Sequence, residues 1–266
     1  MSLVTFIIST RNRRHLLPRA IESVKNCGTE SNIIIVDDAS EDDTESFCKS
    51  LLSIQYIRHE KNMGTAAARN TGIRHCSTPY IAFLDDDDWR LPGTLQQQLE
   101  LLQQNENCGL VYGKVLYANQ QQELTGESNA DQPSPQGDVV LTMLRQNFIT
   151  LSSVVVKKEC FDTLGLFDTS PSMLGLEDWD MWLRLAARYN IQCLNIPVAV
   201  YRKPEKGSGQ WYSEMVHHAG SYRKNGKQRS SVKKGNTKPH FRYYPLQRSV
   251  QRQKHRRQAE TDCSSP

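Results

Sequence analysis

Short unbroken apolar runs alternate with helically spaced ones through the first hundred residues. Residues 4–9 form a β-branched run, and Ile33, Ile34, Ile35 and Val36 form a second that ends at Asp37 and Asp38. Continuous apolar strands of this kind suit a parallel sheet covered on both faces. Between them, residues 15–26 place Leu16, Leu17, Ala20, Ile21 and Val24 at helical spacing, which predicts a strand, helix, strand unit. Ser40 and Asp42 offer N-caps to a further helix with an apolar stripe of Phe47, Leu51 and Leu52. Residues 54–58 read as a third strand, 65–75 as a helix built on Ala66, Ala67, Ala68 and Ile73, and 80–84 as a fourth strand. Four strands alternating with three helices predict a doubly wound α/β sheet, in which ligands bind beyond the carboxyl ends of the strands.

The pattern loosens afterwards. A helix is predicted at 94–105, a strand at 109–117, a strand at Val154, Val155 and Val156, and a helix start at 158–164. Trp179, Trp182, Leu183 and Ala186 set helical spacing over 177–188, and 191–201 returns a strand. Residues 120–138 are polar and contain Pro133 and Pro135, so they are expected to form a mobile loop. No internal repeat is present.

Chemistry enters at Asp85, Asp86, Asp87 and Asp88, directly after the fourth apolar run and before Trp89. Two carboxylates about 4 Å apart repel by roughly 4 kcal/mol at an effective dielectric near 20, so four in succession need a counter-charge. A divalent cation is the simplest candidate, and oxygen-only ligands favour Mg²⁺ or Mn²⁺. Asp37 and Asp38 stand at the end of the second strand, where one of them is expected to brace the turn before the helix at Thr44.

The chain has 266 residues, enough for one large domain with an appendage, and 38% hydrophobic and 23% charged residues are ordinary for a globular protein. No apolar stretch approaches the ~18 to 20 residues that span a bilayer. The first residues lack a basic segment followed by a long apolar one, so no signal peptide is read and a cytoplasmic location is expected. Seven cysteines without Cys-x-x-Cys spacing are expected to be reduced, with no zinc site. The net charge of +4 conceals an asymmetry: residues 1–200 balance to −8 and residues 201–266 to +12. The basic segment is poor in aliphatic residues and is expected to be partly irregular.

With these parts in place, the chain resembles the inverting family 2 glycosyltransferases of GT-A fold. The resemblance covers roughly 3–203. It rests on five motifs in the family's order: Ile7-Ile8-Ser9-Thr10-Arg11-Asn12-Arg13; Ile35-Val36-Asp37-Asp38-Ala39-Ser40; Asn62-Met63-Gly64 through Arg69-Asn70-Thr71-Gly72; Phe83-Leu84 with the four aspartates; and Gly175-Leu176-Glu177-Asp178-Trp179-Asp180. It implies a Rossmann-like, mostly parallel sheet flanked by helices. A donor half would span 1–105 and an acceptor half 106–203, with 204–266 a basic extension.

The resemblance also implies a division of labour. Ser9, Thr10, Arg11, Asn12 and Asp38 would line the nucleotide site, with Asp38 accepting from the base and Arg11 standing where many relatives carry a stacking aromatic. Asp85 or Asp86 would contact the ribose, and Asp87 would hold Mn²⁺ or Mg²⁺ against the diphosphate. Asp88 is expected to be structural. Arg69 would add positive charge near the phosphates or pair with an acidic neighbour, and Gly64 and Gly72 would serve close backbone approach and helix termination. Asp178 would be the catalytic base, with Glu177 favoured by the helix dipole. Trp179 and Trp182 are candidates for stacking on a sugar, with core packing the alternative for at least one. His217 and His218 are candidate metal ligands. The implied partners are a nucleotide-diphosphate sugar, with a UDP-sugar favoured, and a saccharide or lipid-linked acceptor. Lys233, Lys234, Arg252, Lys254, His255, Arg256 and Arg257 suggest peripheral contact with an anionic membrane at the inner face. No nucleic-acid motif accompanies Trp211, Tyr222, Tyr243 and Tyr244.

Two other classes share parts of this pattern. A nucleotidyltransferase needs a glycine-rich loop after its first strand and an aspartyl phosphatase needs Asp-x-Asp there, and neither is present. A non-catalytic nucleotide-sugar or anion-binding protein on the same fold is the remaining alternative.

Overall fold

The computed structural model describes residues 2–203. Its first half runs β1 (Val4–Thr10), α1 (Leu17–Lys25), β2 (Ser31–Asp37), α2 (Thr44–Lys49), β3 (Gln55–Arg58), α3 (Thr65–His75) and β4 (Tyr80–Asp85). These strands pair in parallel in the order β3-β2-β1-β4. The pairing follows from composition, because β1 is buried along its whole length and has both faces to cover. Phe6, Ile8, Leu17, Ile21, Ile35, Leu84, Leu95 and Leu99 form part of one buried cluster. On α3, Gly72 meets β1: a Cβ there would lie 2.4 Å from Ile7 Cγ2. Gly72 therefore permits close approach inside the helix, and Gly64, at φ 88°, begins the helix; neither terminates it.

The chain continues through β5 (Trp89–Arg90), α4 (Leu95–Gln104), β6 (Cys108–Ala118), β7 (Leu124–Ser128), α5 (Val140–Met143), β8 (Val155–Lys157), α6 (Glu159–Leu164), α7 (Glu177–Arg188) and β9 (Asn190–Arg202). The sheet extends from β4 in the order β8-β6-β9-β5, with β7 paired to β6. Parallel pairing recurs between β6 and β9, while β8 runs antiparallel to both neighbours. The result is a mixed α/β sheet flanked by helices.

Three further expectations change. The loop predicted at 120–138 contains β7, folded back antiparallel on β6, and Gly137 bridges Ile191. β7 is exposed on most of its length and so carries no apolar alternation. The helix α2 stops at Lys49, leaving Leu52 fully exposed while Phe47 and Leu51 pack on the core. Trp179 and Trp182 are both buried, and the Trp179 Nε1 donates to Met143 O at 2.7 Å, so neither offers a ring to a sugar. The cysteines of the described residues are free and, apart from Cys193, buried. Among the described residues no helix is long and apolar enough to cross a membrane. The basic extension, with His217, His218 and the lysines and arginines beyond them, lies outside the described residues.

Candidate functional site

The carboxyl ends of β1, β2 and β4 lie side by side, with Ser9 opposite both Val36 and Asp85. The loops that leave this edge are braced by polar residues, largely against one another. Asn12, in the left-handed region at φ 54°, donates its backbone N–H to Ser40 Oγ at 2.9 Å and accepts from Glu41 N at 2.7 Å. Asp37 is fully buried, taking Ser40 N at 2.8 Å and the Tyr56 hydroxyl at 2.6 Å. Asp38 accepts from Met63 N at 2.8 Å and Gly64 N at 2.7 Å, and His59 Nδ1 lies 2.8 Å from it. Of roughly four acceptor sites on a carboxylate, three are thus given to the loop before α3. Arg11 is exposed at the same edge.

The four aspartates form a turn in which Asp88 N donates to Asp85 O at 3.1 Å. Asp86 is buried and accepts from Thr10 Oγ1 at 2.8 Å and Arg13 Nη1 at 3.0 Å. Burial pushes its carboxyl up to about 6 against the opposing pull of Arg13 and Thr10. Burial also works against the charge of Arg13, yet Asp86, then Asp87 and Asp85, hold its pKa above the ordinary value. Asp87 is partly exposed and its Oδ2 faces Arg202 Nη2 at 2.9 Å and Arg13 Nη1 at 3.4 Å. Asp88 is buried, accepting from Ser152 Oγ at 2.5 Å and Arg202 N at 2.9 Å. Burial, then the charges of Asp85 and Asp87, push its pKa well above the carboxylate range, which suits the structural role expected for it.

Across from this turn stands the N-terminus of α7. Arg69, buried on α3, reaches both sides: Nη2 donates to Asp85 Oδ1 and Nη1 to Glu177 Oε1, each at 2.9 Å. Of the two placements expected for Arg69, the structure shows the acidic one. Burial opposes its charge, but Asp85, Glu177 and Asp178 hold its pKa above the ordinary value. Beside Glu177, the partly buried Asp178 accepts from Asn147 Nδ2 at 3.2 Å and from Trp179 N at 2.7 Å. Burial, with Glu177 and Asp85 adding to it, pushes the Asp178 carboxyl up to about 6 against the pull of Arg69. A carboxylate with that pKa is ionised at neutral pH and more basic than a free aspartate.

Arg13, Arg202 and Asn147 were not anticipated as site residues. Arg13 lies inside the first motif, where its type and place are a usable signal, whereas Arg202 and Asn147 are far away in sequence and carry no local signal.

A divalent cation fits one position. Among the described residues no cluster of three metal-ligating side chains exists, so the protein would supply Asp87 and leave the other coordination sites to phosphates and water. Asp87 suits this: it is partly exposed, and its Oδ1 makes no hydrogen bond among the described residues.

A family model described as "Glycosyl transferase family 2" matches residues 5–150, more than half of the chain. The chain belongs to this family. An uncharacterized glycosyltransferase from Haemophilus influenzae is 31% identical over 189 residues, covering 69% of this chain and 62% of that protein's own length. The UDP-Glc:alpha-D-GlcNAc-diphosphoundecaprenol beta-1,3-glucosyltransferase WfgD of Escherichia coli is 27% identical over 198 residues, covering 73% of each. In fold, the family 2 chain is similar to the mannosyltransferase PcManGT from Pyrobaculum calidifontis, solved with GDP-Man and Mn²⁺. The TM-score is 0.62 at 19% identity, over 85% of this chain and 65% of that one.

Proposed function

We propose that this glycosyltransferase is inverting and metal-dependent, moving a sugar from a nucleoside-diphosphate donor to a hydroxyl of a saccharide or lipid-linked acceptor. The observation that carries the reading is the Arg69 bridge, which joins the acidic turn to the helix bearing Asp178 through two 2.9 Å ion pairs. A donor held at the turn then presents its anomeric carbon toward Asp178. Asp178 takes the acceptor's proton as the hydroxyl attacks from the face opposite the leaving group, and direct displacement inverts the anomeric centre. Asn147 and the Trp179 amide hold that carboxylate in place. Ser9, Thr10, Arg11, Asn12 and Asp38 border the nucleotide, and Asp85 or Asp86 meets the ribose. Asp87 would hold Mn²⁺ or Mg²⁺, which when bound supplies positive charge against the departing diphosphate.

A UDP-sugar is the favoured donor, in keeping with the UDP-Glc named for the Escherichia coli relative, and cell-surface polysaccharide or glycoconjugate synthesis is the favoured setting. The donor half would be 1–105 and the acceptor half 106–203. The basic 204–266 segment would meet an anionic membrane surface peripherally on the cytoplasmic side, where a lipid-linked acceptor is presented.

The test is calorimetry of a panel of nucleotide sugars, with and without Mn²⁺, on the wild type and Asp87→Ala. Metal-dependent binding of one donor that vanishes in Asp87→Ala is the expected result. A folded protein that binds no donor in the presence of metal would sink the donor-site assignment and leave the non-catalytic reading.

A further inference from the structure

Arg90 is buried at 2% exposure and, among the described residues, has no carboxylate partner. An unpaired interior cation is costly, and an apolar residue of similar volume would pack the same space without that cost. What the guanidinium holds is specific. Nη1 donates to Ser152 O at 3.0 Å, Nη2 donates to Gln98 Oε1 in a short bond, and the Phe6 ring lies 5.7 Å away. Gln98 is also fully buried and passes its own Nε2 on to Ser153 O at 2.8 Å and Val111 O at 3.4 Å. Arg90 and Gln98 together therefore grip consecutive carbonyls of the 3-10 turn Leu151–Ser153.

The hydroxyl displayed by that turn touches the site. Ser152 Oγ accepts from Asp85 N at 3.1 Å and donates to Asp88 Oδ2 at 2.5 Å, so one oxygen ties together the first and last residues of the acidic turn. Asp87 lies between the two tied points.

We propose that Arg90, Gln98 and Ser152 are positioning residues that set where Asp87 sits, and through it the cation-dependent affinity for a nucleoside diphosphate. The proposal rests on the donor-site reading above. Arg90 and Gln98 touch neither donor nor cation; they act through Ser152. Arginine is required because a lysine presents no planar fork to reach the Ser152 carbonyl and the Gln98 amide together.

The test is calorimetry of UDP and of GDP, each with Mn²⁺ and with a chelator, on the wild type, Ser152→Ala, Arg90→Lys and the double variant. Hydrogen exchange across 85–90 in the ligand-free proteins accompanies it. Ser152→Ala removes one oxygen and keeps the turn's backbone, which guards against the chance that Arg90→Lys fails to fold. Expected is a loss of about tenfold to a hundredfold in affinity in Mn²⁺ and little change in chelator, the scale seen when partners of a metal ligand are removed. Exchange should quicken at 85–90 while β1 and β2 stay protected. The double variant should be no worse than the single ones, because both act through the same hydroxyl. If the wild type binds and Ser152→Ala binds equally in Mn²⁺, or if the loss is the same in chelator, the proposal falls and the donor site stands. If the wild type binds neither nucleotide, the donor-site reading falls and takes the proposal with it.

Discussion

Replacing Asp178 with asparagine separates its proposed role as base from its cost to the fold. Removing a general base costs typically 10²- to 10⁴-fold in rate, so kcat should drop by at least about a hundredfold. Donor affinity should stay near that of the wild type, because Asp178 lies on α7 and outside the acidic turn. The stability effect has a definite sign. Burial raises the carboxyl from its ordinary 3.8 to about 6, and at 1.36 kcal/mol per unit this makes its ionisation cost the folded state about 3 kcal/mol. Solvent screening of the partly exposed group makes that an upper figure. A raised carboxyl pKa leaves the fold most stable below about 3.8, with the loss accumulating as pH rises and levelling off above about 6. Asparagine has no such term, but it gives up one of the acceptors that serve Asn147 Nδ2 and Trp179 N, a loss of about 1 to 3 kcal/mol at every pH. The lost bond cancels when two pH values are compared. Urea denaturation of both proteins at pH 5 and pH 8 should show the wild type losing about 1 to 1.5 kcal/mol relative to the variant on going to pH 8. A pH-independent difference would refute the claim that a strained ionisation sits at this position. An unchanged kcat would refute its role as base.

Two further outcomes follow from the arginines. Arg69→Met leaves Glu177 buried and Asp85 partly buried without their partner, and breaking such a pair costs about 3 to 5 kcal/mol, readable as a fall in the urea midpoint. Because Arg69 also holds the Asp178 pKa down, the acidic limb of the rate profile should move to higher pH in any folded fraction. Conversely, Arg13, Arg69 and Arg202 already neutralise the acidic turn in the free protein. A chelator should therefore move Tm by less than about 2 °C, under roughly 1 kcal/mol for a protein of this size, as measured by scanning calorimetry without donor.

The elements readable in the sequence are those whose burial forces a local pattern. β1, β2 and β4 are covered on both faces and so appear as unbroken apolar runs, and α1 and α4 each bury one stripe, whereas α7 is buried on nearly every side and shows through the spacing of Trp179, Trp182, Leu183 and Ala186. β7 is an exposed edge, β5 is two residues long, and α5 is a single turn, so none has a period to detect. Parallel connections bring the motifs to one edge of the sheet, which is why their order along the chain anticipated their neighbourhood.

What the sequence left open was how the charges are balanced. Four successive carboxylates demand positive charge, and a cation is the answer that needs no knowledge of the fold. The fold supplies three guanidiniums instead, from the β1 loop, from α3 and from the end of β9, each meeting its aspartate across the sheet edge. Such contacts have no sequence period, because each depends on which strand ends become neighbours. They also bear on the task of the proposed cation. With the turn held by arginines and by Ser152, a cation at Asp87 is not needed to keep the aspartates together. On the proposed mechanism, the binding energy of a cation there would go to the charge that appears on the diphosphate as the sugar leaves, where differential stabilisation would accelerate the reaction.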